Sequence, residues 1–95
     1  MYSIVSSHRF SRSLKKIQTS GTFSTSAASN FELIVICLKR GQAVLTTRRD
    51  HALASDMSAY RECHIKGDLL LVYRRFDSEL IIELVDIGTH AQIFG

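Results

Sequence analysis

The stretch Tyr60-Arg61-Glu62-Cys63-His64-Ile65-Lys66-Gly67-Asp68-Leu69-Leu70-Leu71-Val72-Tyr73 (YRECHIKGDLLLVY, residues 60–73) decides the fold. Its first half mixes ionisable and apolar residues, and its second half is a continuous apolar run. A glycine turn near Lys66-Gly67 separates them. This reads as a β-hairpin whose second strand lies in the middle of a buried sheet. Arg, Glu, His, Lys and Asp crowd the turn more densely than a core-filling strand requires, so the hairpin is also the first place to look for function.

Toward the C-terminus, a second turn near Asp77-Ser78 leads into Leu80-Ile81-Ile82-Glu83-Leu84-Val85, a third strand. Gly88 is read as its end, leaving a short tail from Thr89 to Gly95. Two-residue loops at both turns place His64, Leu69 and Asp86 in one cross-strand row and Glu62, Leu71 and Leu84 in the next row on that face. Toward the N-terminus, residues 42–59 read as irregular. A helix ends at about Arg40 with Gly41 as its stop, capped at its start by Ser24, Thr25 or Ser26, with a stripe of Phe31, Ile34, Val35 and Leu38. A first helix follows Ser6 or Ser7, with Phe10, Leu14 and Ile17 on one face, and Tyr2-Ser3-Ile4-Val5 precedes it as a strand. The expected architecture is a single α+β domain over residues 1–95. A short N-terminal strand is followed by two helices packed on one face of a mostly antiparallel sheet, which ends in a three-strand meander.

The chain of 95 residues carries a net charge of +3, unevenly spread. Residues 1–50 hold eight Lys/Arg and two acids (+6), and residues 51–95 hold four and seven (−3). A basic first half attracts an acidic protein or the phosphates of nucleic acid. The longest apolar run, Leu33 to Leu38, is too short to span a bilayer, so no membrane is expected. The first 31 residues, serine-rich and free of acids, share the composition of a transit peptide but read well as structure, and structure is the reading taken. Cys37 and Cys63 lack partner spacing and suit thiols in a reducing, cytoplasmic setting.

Three histidines from separate segments, His51, His64 and His90, fall near strand ends and can converge on one cleft. Histidine titrates near neutrality and serves as acid or base. No pair has the close spacing of a structural metal site, and neither a metal nor another cofactor is expected.

Asp50-His51-Ala52-Leu53, the hairpin of residues 60–73, Ile87-Gly88-Thr89-His90 and the ending Ile93-Phe94-Gly95 together resemble YafQ-type toxins of the RelE superfamily. The opening strand and the basic helix Phe10-Ser11-Arg12-Ser13-Leu14-Lys15-Lys16 fit the same pattern. The resemblance implies a RelE-like fold and a small bacterial endoribonuclease. Such an mRNA interferase cuts messenger RNA on the ribosome without a metal and is held inactive by an acidic antitoxin (RelB/DinJ-like). Operator DNA is engaged only through the toxin–antitoxin complex. Carried over position by position, His51, His64 and His90 match the family's functional histidines, Asp68 its aspartate and Phe94 its C-terminal aromatic. His90 is the candidate acid. His51 or His64, with Asp68, serves the base side, and Phe94 stacks on a base or pins the tail. Glu62, Arg61 and Lys66, with Lys15 and Lys16 on the basic helix, are the candidate substrate-binding residues.

The sequence departs from the family at four places. Asp86 stands where members commonly carry Arg, Ala54-Ser55 where they carry Lys-Gly, Met57 where they carry tryptophan and Gly67 where they carry proline. In the expected register Asp86 neighbours His64 and repels the scissile phosphate. The alternative is therefore a catalytically weakened homologue that binds an antitoxin and autoregulates transcription through the complex.

Overall fold

In a computed structural model the chain folds as β1 (Ser3–Ser6), α1 (His8–Thr19), α2 (Thr25–Lys39), β2 (His51–Ala52), β3 (Arg61–Lys66), β4 (Leu69–Phe76), β5 (Ile81–Thr89) and α3 (His90–Phe94). The structure describes residues 1–42, 44, 48–53 and 59–95; the departures at Ala54, Ser55 and Met57 lie outside them. The strands form one sheet in the order β1-β5-β4-β3-β2, with β1 parallel to β5 and the other pairs antiparallel.

Both long helices begin where a serine can take an otherwise unpartnered backbone N–H. Ser7 Oγ accepts from Phe10 N at 3.0 Å, and Ser24 Oγ accepts from Ala27 N at 3.1 Å. Phe10 and Ile17 of α1 and Ala27, Ile34 and Leu38 of α2 are buried against Cys63, Ile65, Leu69, Leu71, Tyr73, Ile82, Leu84 and Ile87 of the sheet. Phe31 stacks on Phe10 at 5.9 Å and meets the edge of Phe23 at 6.1 Å. α1 lies on β5 and α2 on β3. Every residue from Leu69 to Tyr73 is buried. Because successive side chains alternate faces, Leu70 and Val72 are covered on the face away from that core.

The registers differ from those expected. His64 lies opposite Leu70, and Lys66 opposite Leu69, with an irregularity between them at Ile65; the turn is Gly67-Asp68. Gly67 supplies the positive φ (56°) that such a turn requires and a side chain resists. The second loop holds four residues, since Phe76 pairs with Ile81, and Leu80 takes the left-handed φ of 54°. A bulge then shifts the pairing between Tyr73↔Leu84 and Val72↔Asp86. The actual rows are His64–Leu70–Gly88 and Glu62–Val72–Asp86. Asp86 therefore does not share a row with His64.

Three further features correct the expectation. Within residues 42–59, which read as irregular, His51 and Ala52 form an edge strand pairing with Glu62 and Arg61. Gly88 does not end β5, which runs on to Thr89. The tail is a short helix, closed by a capping box in which Gln92 N donates to Thr89 Oγ1 (3.2 Å) and Thr89 N donates to Gln92 Oε1 (2.8 Å).

Candidate active site

The end of β3, the start of β4 and the end of β5 meet at one end of the sheet. Lys66 lies opposite Leu69 and Leu69 opposite Thr89, so the Gly67-Asp68 turn and the first residue of α3, His90, share that end. His64 stands one row back, two strand spacings (about 10 Å) from Gly88.

His64 Nδ1 is 3.0 Å from Gly67 O, and His51 Nδ1 is 2.6 Å from Arg49 O. A carbonyl oxygen only accepts, so Nδ1 carries the proton in both rings and Nε2 keeps a lone pair in the neutral form. That arrangement prepares Nε2 to receive a proton. Glu62, a buried carboxylate opposite His51, puts Oε1 3.6 Å from the His51 Nε2. Asp68 is exposed at the turn. His90 and Phe94, four residues apart on α3, bring their rings to 4.9 Å at a tilt of 47°, both reaching solvent.

Beside His64 lies a groove of about 400 Å³ lined by Arg48, Arg49, His64, Ile65, Lys66 and Gly67. Its cationic character comes from Lys66 and from two residues outside the sequence-based candidates, Arg48 and Arg49. Arg48 donates to Ile65 O at 3.3 Å, and Lys66 donates to Ser26 at the start of α2. Arg49 holds a left-handed φ of 54°, unusual for a residue with a side chain and a local conformational cost, while its carbonyl receives the His51 proton. The available signal was the pair Arg48-Arg49 directly before Asp50-His51.

Asp50 ties this loop to the sheet. It accepts from Arg61 Nη2 at 2.8 Å and from the Tyr73 hydroxyl at 2.6 Å. The Asp50 bond holds Arg61 above the usual guanidinium range, and burial followed by the same carboxylate raises the Tyr73 hydroxyl. Arg61, expected on the substrate, is thus a structural partner of Asp50. Burial pushes the Cys63 thiol up to about 12, which removes it as a nucleophile near neutrality.

Lys15 and Lys16 are not brought to His64. They line a separate groove of about 730 Å³ along α1 with Arg9, Arg12, Ser13, Thr19 and Ser20. Asp86 lies against α1, its Oδ2 2.8 Å from Arg9 Nε. The structure thus gathers His64, Lys66, Asp68, His90 and Phe94 at one end, with His51 and Glu62 two rows behind His64. Among the described residues no three His, Cys, Asp or Glu side chains group to hold a metal ion.

The family described as the bacterial toxin of type II toxin–antitoxin systems, YafQ, matches residues 2–95. The chain is similar to the mRNA interferase toxin YafQ of Escherichia coli (strain B / BL21-DE3), 40% identical over 47 residues, which are 50% of this chain and 49% of that protein. It thus spans about half the length of the curated relatives it matches. Among solved structures it is similar to a metal-bound toxin from Helicobacter pylori (33% identity, TM-score 0.84, 99% of this chain and 100% of that one). It is also similar to the E. coli DinJ–YafQ complex (25% identity, TM-score 0.82, 100% of both chains).

Proposed function

The chain belongs to the YafQ family of bacterial type II toxin–antitoxin toxins, and on that premise we propose that it is an endoribonuclease that cuts messenger RNA at the ribosome without a metal. The observation that carries this reading is the pair of histidines, His51 and His64, whose Nδ1 atoms are engaged by backbone carbonyls, His64 itself lining a groove of three cations. The nearest of them to the groove, His64, takes the proton of the ribose 2′-hydroxyl on Nε2. The resulting alkoxide attacks the adjacent phosphorus. His90 protonates the departing 5′-oxygen, giving a 2′,3′-cyclic phosphate and a 5′-hydroxyl end, so protons and charge balance across the two histidines. Arg48, Arg49 and Lys66 offset the charge that grows on the phosphoryl oxygens. Asp68 orients substrate at the turn, and Phe94 stacks on a base beside His90. The partner is an acidic, DinJ-like antitoxin, and operator DNA is reached only through that complex in the cytoplasm.

The test is cleavage of a translated message after induction, read by primer extension, with and without a chelator. Wild type is expected to cut under both conditions, and His90→Gln to lose about 10²-fold or more, at the lower end of what a positioned acid contributes. Full cleavage by His90→Gln would overturn the assignment.

A second reading, a weakened homologue that only binds its antitoxin and the operator complex, rests on Asp86. The Arg9 guanidinium at 2.8 Å offsets that carboxylate and weakens the case for it. A protein that is harmless on induction yet captures its antitoxin would favour the second reading.

A further inference from the structure

We propose that the Arg9–Asp86 pair is a positioning device: it holds α3 against the end of the sheet and so fixes the His90 ring. Three contacts converge on it. Arg9 Nε lies 2.8 Å from Asp86 Oδ2, and Arg9 Nη2 donates to Ile93 O at 3.0 Å. Asp86 Oδ1 accepts from Ile87 N at 2.9 Å. One guanidinium thereby joins the first turn of α1, the last strand and the C-terminal helix. Asp86 is 3% exposed, whereas the Arg9 side chain is 57% exposed. The carboxylate is the fixed partner, and it aims the arginine.

α3 needs such a tie. At five residues it is far below the length at which a helix holds itself in water, and none of its residues is buried. Its N-terminus is closed by the Thr89–Gln92 capping box. Near its C-terminus the Ile93 carbonyl is one that a helix leaves without an internal partner, and a cation there also complements the helix dipole. His90 lies one turn from Ile93 and its ring meets that of Phe94 at a tilt, so a helix released at Ile93 releases the ring. Arginine suits the role and lysine does not, because the two contacts leave from different nitrogens of one planar fork.

This gives Asp86 a different meaning. Where the resembling family commonly carries arginine on the last strand, this chain carries the acid there and draws an arginine from α1. A cation still stands at this point of the molecule.

The catalytic half of the proposal rests on the ribonuclease reading, and the positional half does not. The full chain is therefore measured in two ways: amide exchange of residues 91–95 with the NMR signals of the His90 ring, and single-turnover cleavage. Arg9→Gln and Asp86→Asn are each expected to speed α3 exchange, shift the His90 ring signals and slow cleavage roughly 10- to 100-fold, as misplacement of a catalytic group does. Amides of β3 to β5 should keep their protection, which shows that the fold survives. The double variant should be no worse than either single, because the two residues act as a unit, and Arg9→Lys should recover only part of the loss. Asp86→Arg should also lower cleavage. Three results would overturn the proposal: unchanged α3 exchange in Arg9→Gln, additive losses in the double variant, or a gain of cleavage in Asp86→Arg. If wild type cuts no RNA, the ribonuclease reading falls, and exchange with the His90 spectrum still decides whether the pair holds the helix.

Discussion

At Asp50 both carboxylate oxygens are occupied, one by Arg61 and one by the Tyr73 hydroxyl, and the loop bearing Arg48, Arg49 and His51 hangs on that junction. Tyr73→Phe keeps the ring in the core and removes one donor to a charged acceptor, which should cost about 2 kcal/mol in urea unfolding. The pH dependence follows from the raised Tyr73 hydroxyl. Its folded-state value lies above the unfolded one, so its contribution is complete below about pH 10, the unfolded value, and is lost as pH rises toward the folded value. Wild-type stability should therefore fall more steeply than that of Tyr73→Phe above about pH 10, and parallel curves for the two proteins would refute the assignment. Nothing in the sequence marks Asp50 as the anchor, since its partners are 11 and 23 residues away and were read as a substrate contact and a strand residue. The histidines were legible because their residue type is rare and carries chemistry. Their tautomers were not, because these are set by the carbonyls of Arg49 and Gly67.

The elements were legible where local chemistry determines them. Ser7 and Ser24 cap helices, and the apolar stripes face the sheet. The capping box of α3 was also present in the sequence as Thr89-His90-Ala91-Gln92, but five residues after a glycine read more readily as a tail than as a helix. The cross-strand rows were not legible. They depend on an irregularity at Ile65, a four-residue loop and a bulge at Val85, and a single displaced residue moves every partner. That displacement separates Asp86 from His64 and gives it to Arg9. Gly88 tests the same region. A Cβ built there would lie 2.9 Å from Gln92 Oε1 and 3.2 Å from Gln92 Cβ. Gly88→Ala must therefore push away the residue that completes the capping box. The expected cost is about 1 kcal/mol, the scale of a lost cap, with faster amide exchange confined to α3. Unaltered α3 protection in a folded Gly88→Ala protein would show that the box tolerates the methyl group.

Over the whole molecule, the uneven charge seen along the sequence becomes a division of labour among cations. Asp50, Asp77, Glu83 and Asp86 pair with Arg61, Arg75, Arg74 and Arg9. None of the described carboxylates lies within ion-pair distance of Arg12, Lys15, Lys16, Arg48 or Arg49. Lys39, Arg40 and Lys66 have no such partner among the described carboxylates either; Arg12, Lys15 and Lys16 lie in a groove along α1, and Arg48, Arg49 and Lys66 in a separate groove beside His64. A single-stranded RNA that reaches both should bind with a steep salt dependence, each neutralised phosphate adding about −0.7 to the slope of log K against log salt. Lys15→Ala with Lys16→Ala should then flatten that slope by about 1.4 while leaving cleavage of a saturating short substrate intact, because neither lysine lines the groove beside His64. Arg48→Ala should flatten the slope by about half as much and slow cleavage as well. Fluorescence anisotropy from low to physiological salt reads the slopes. An unchanged slope in the double lysine variant would confine the RNA to the His64 end and leave the α1 groove to a partner that binds by other contacts.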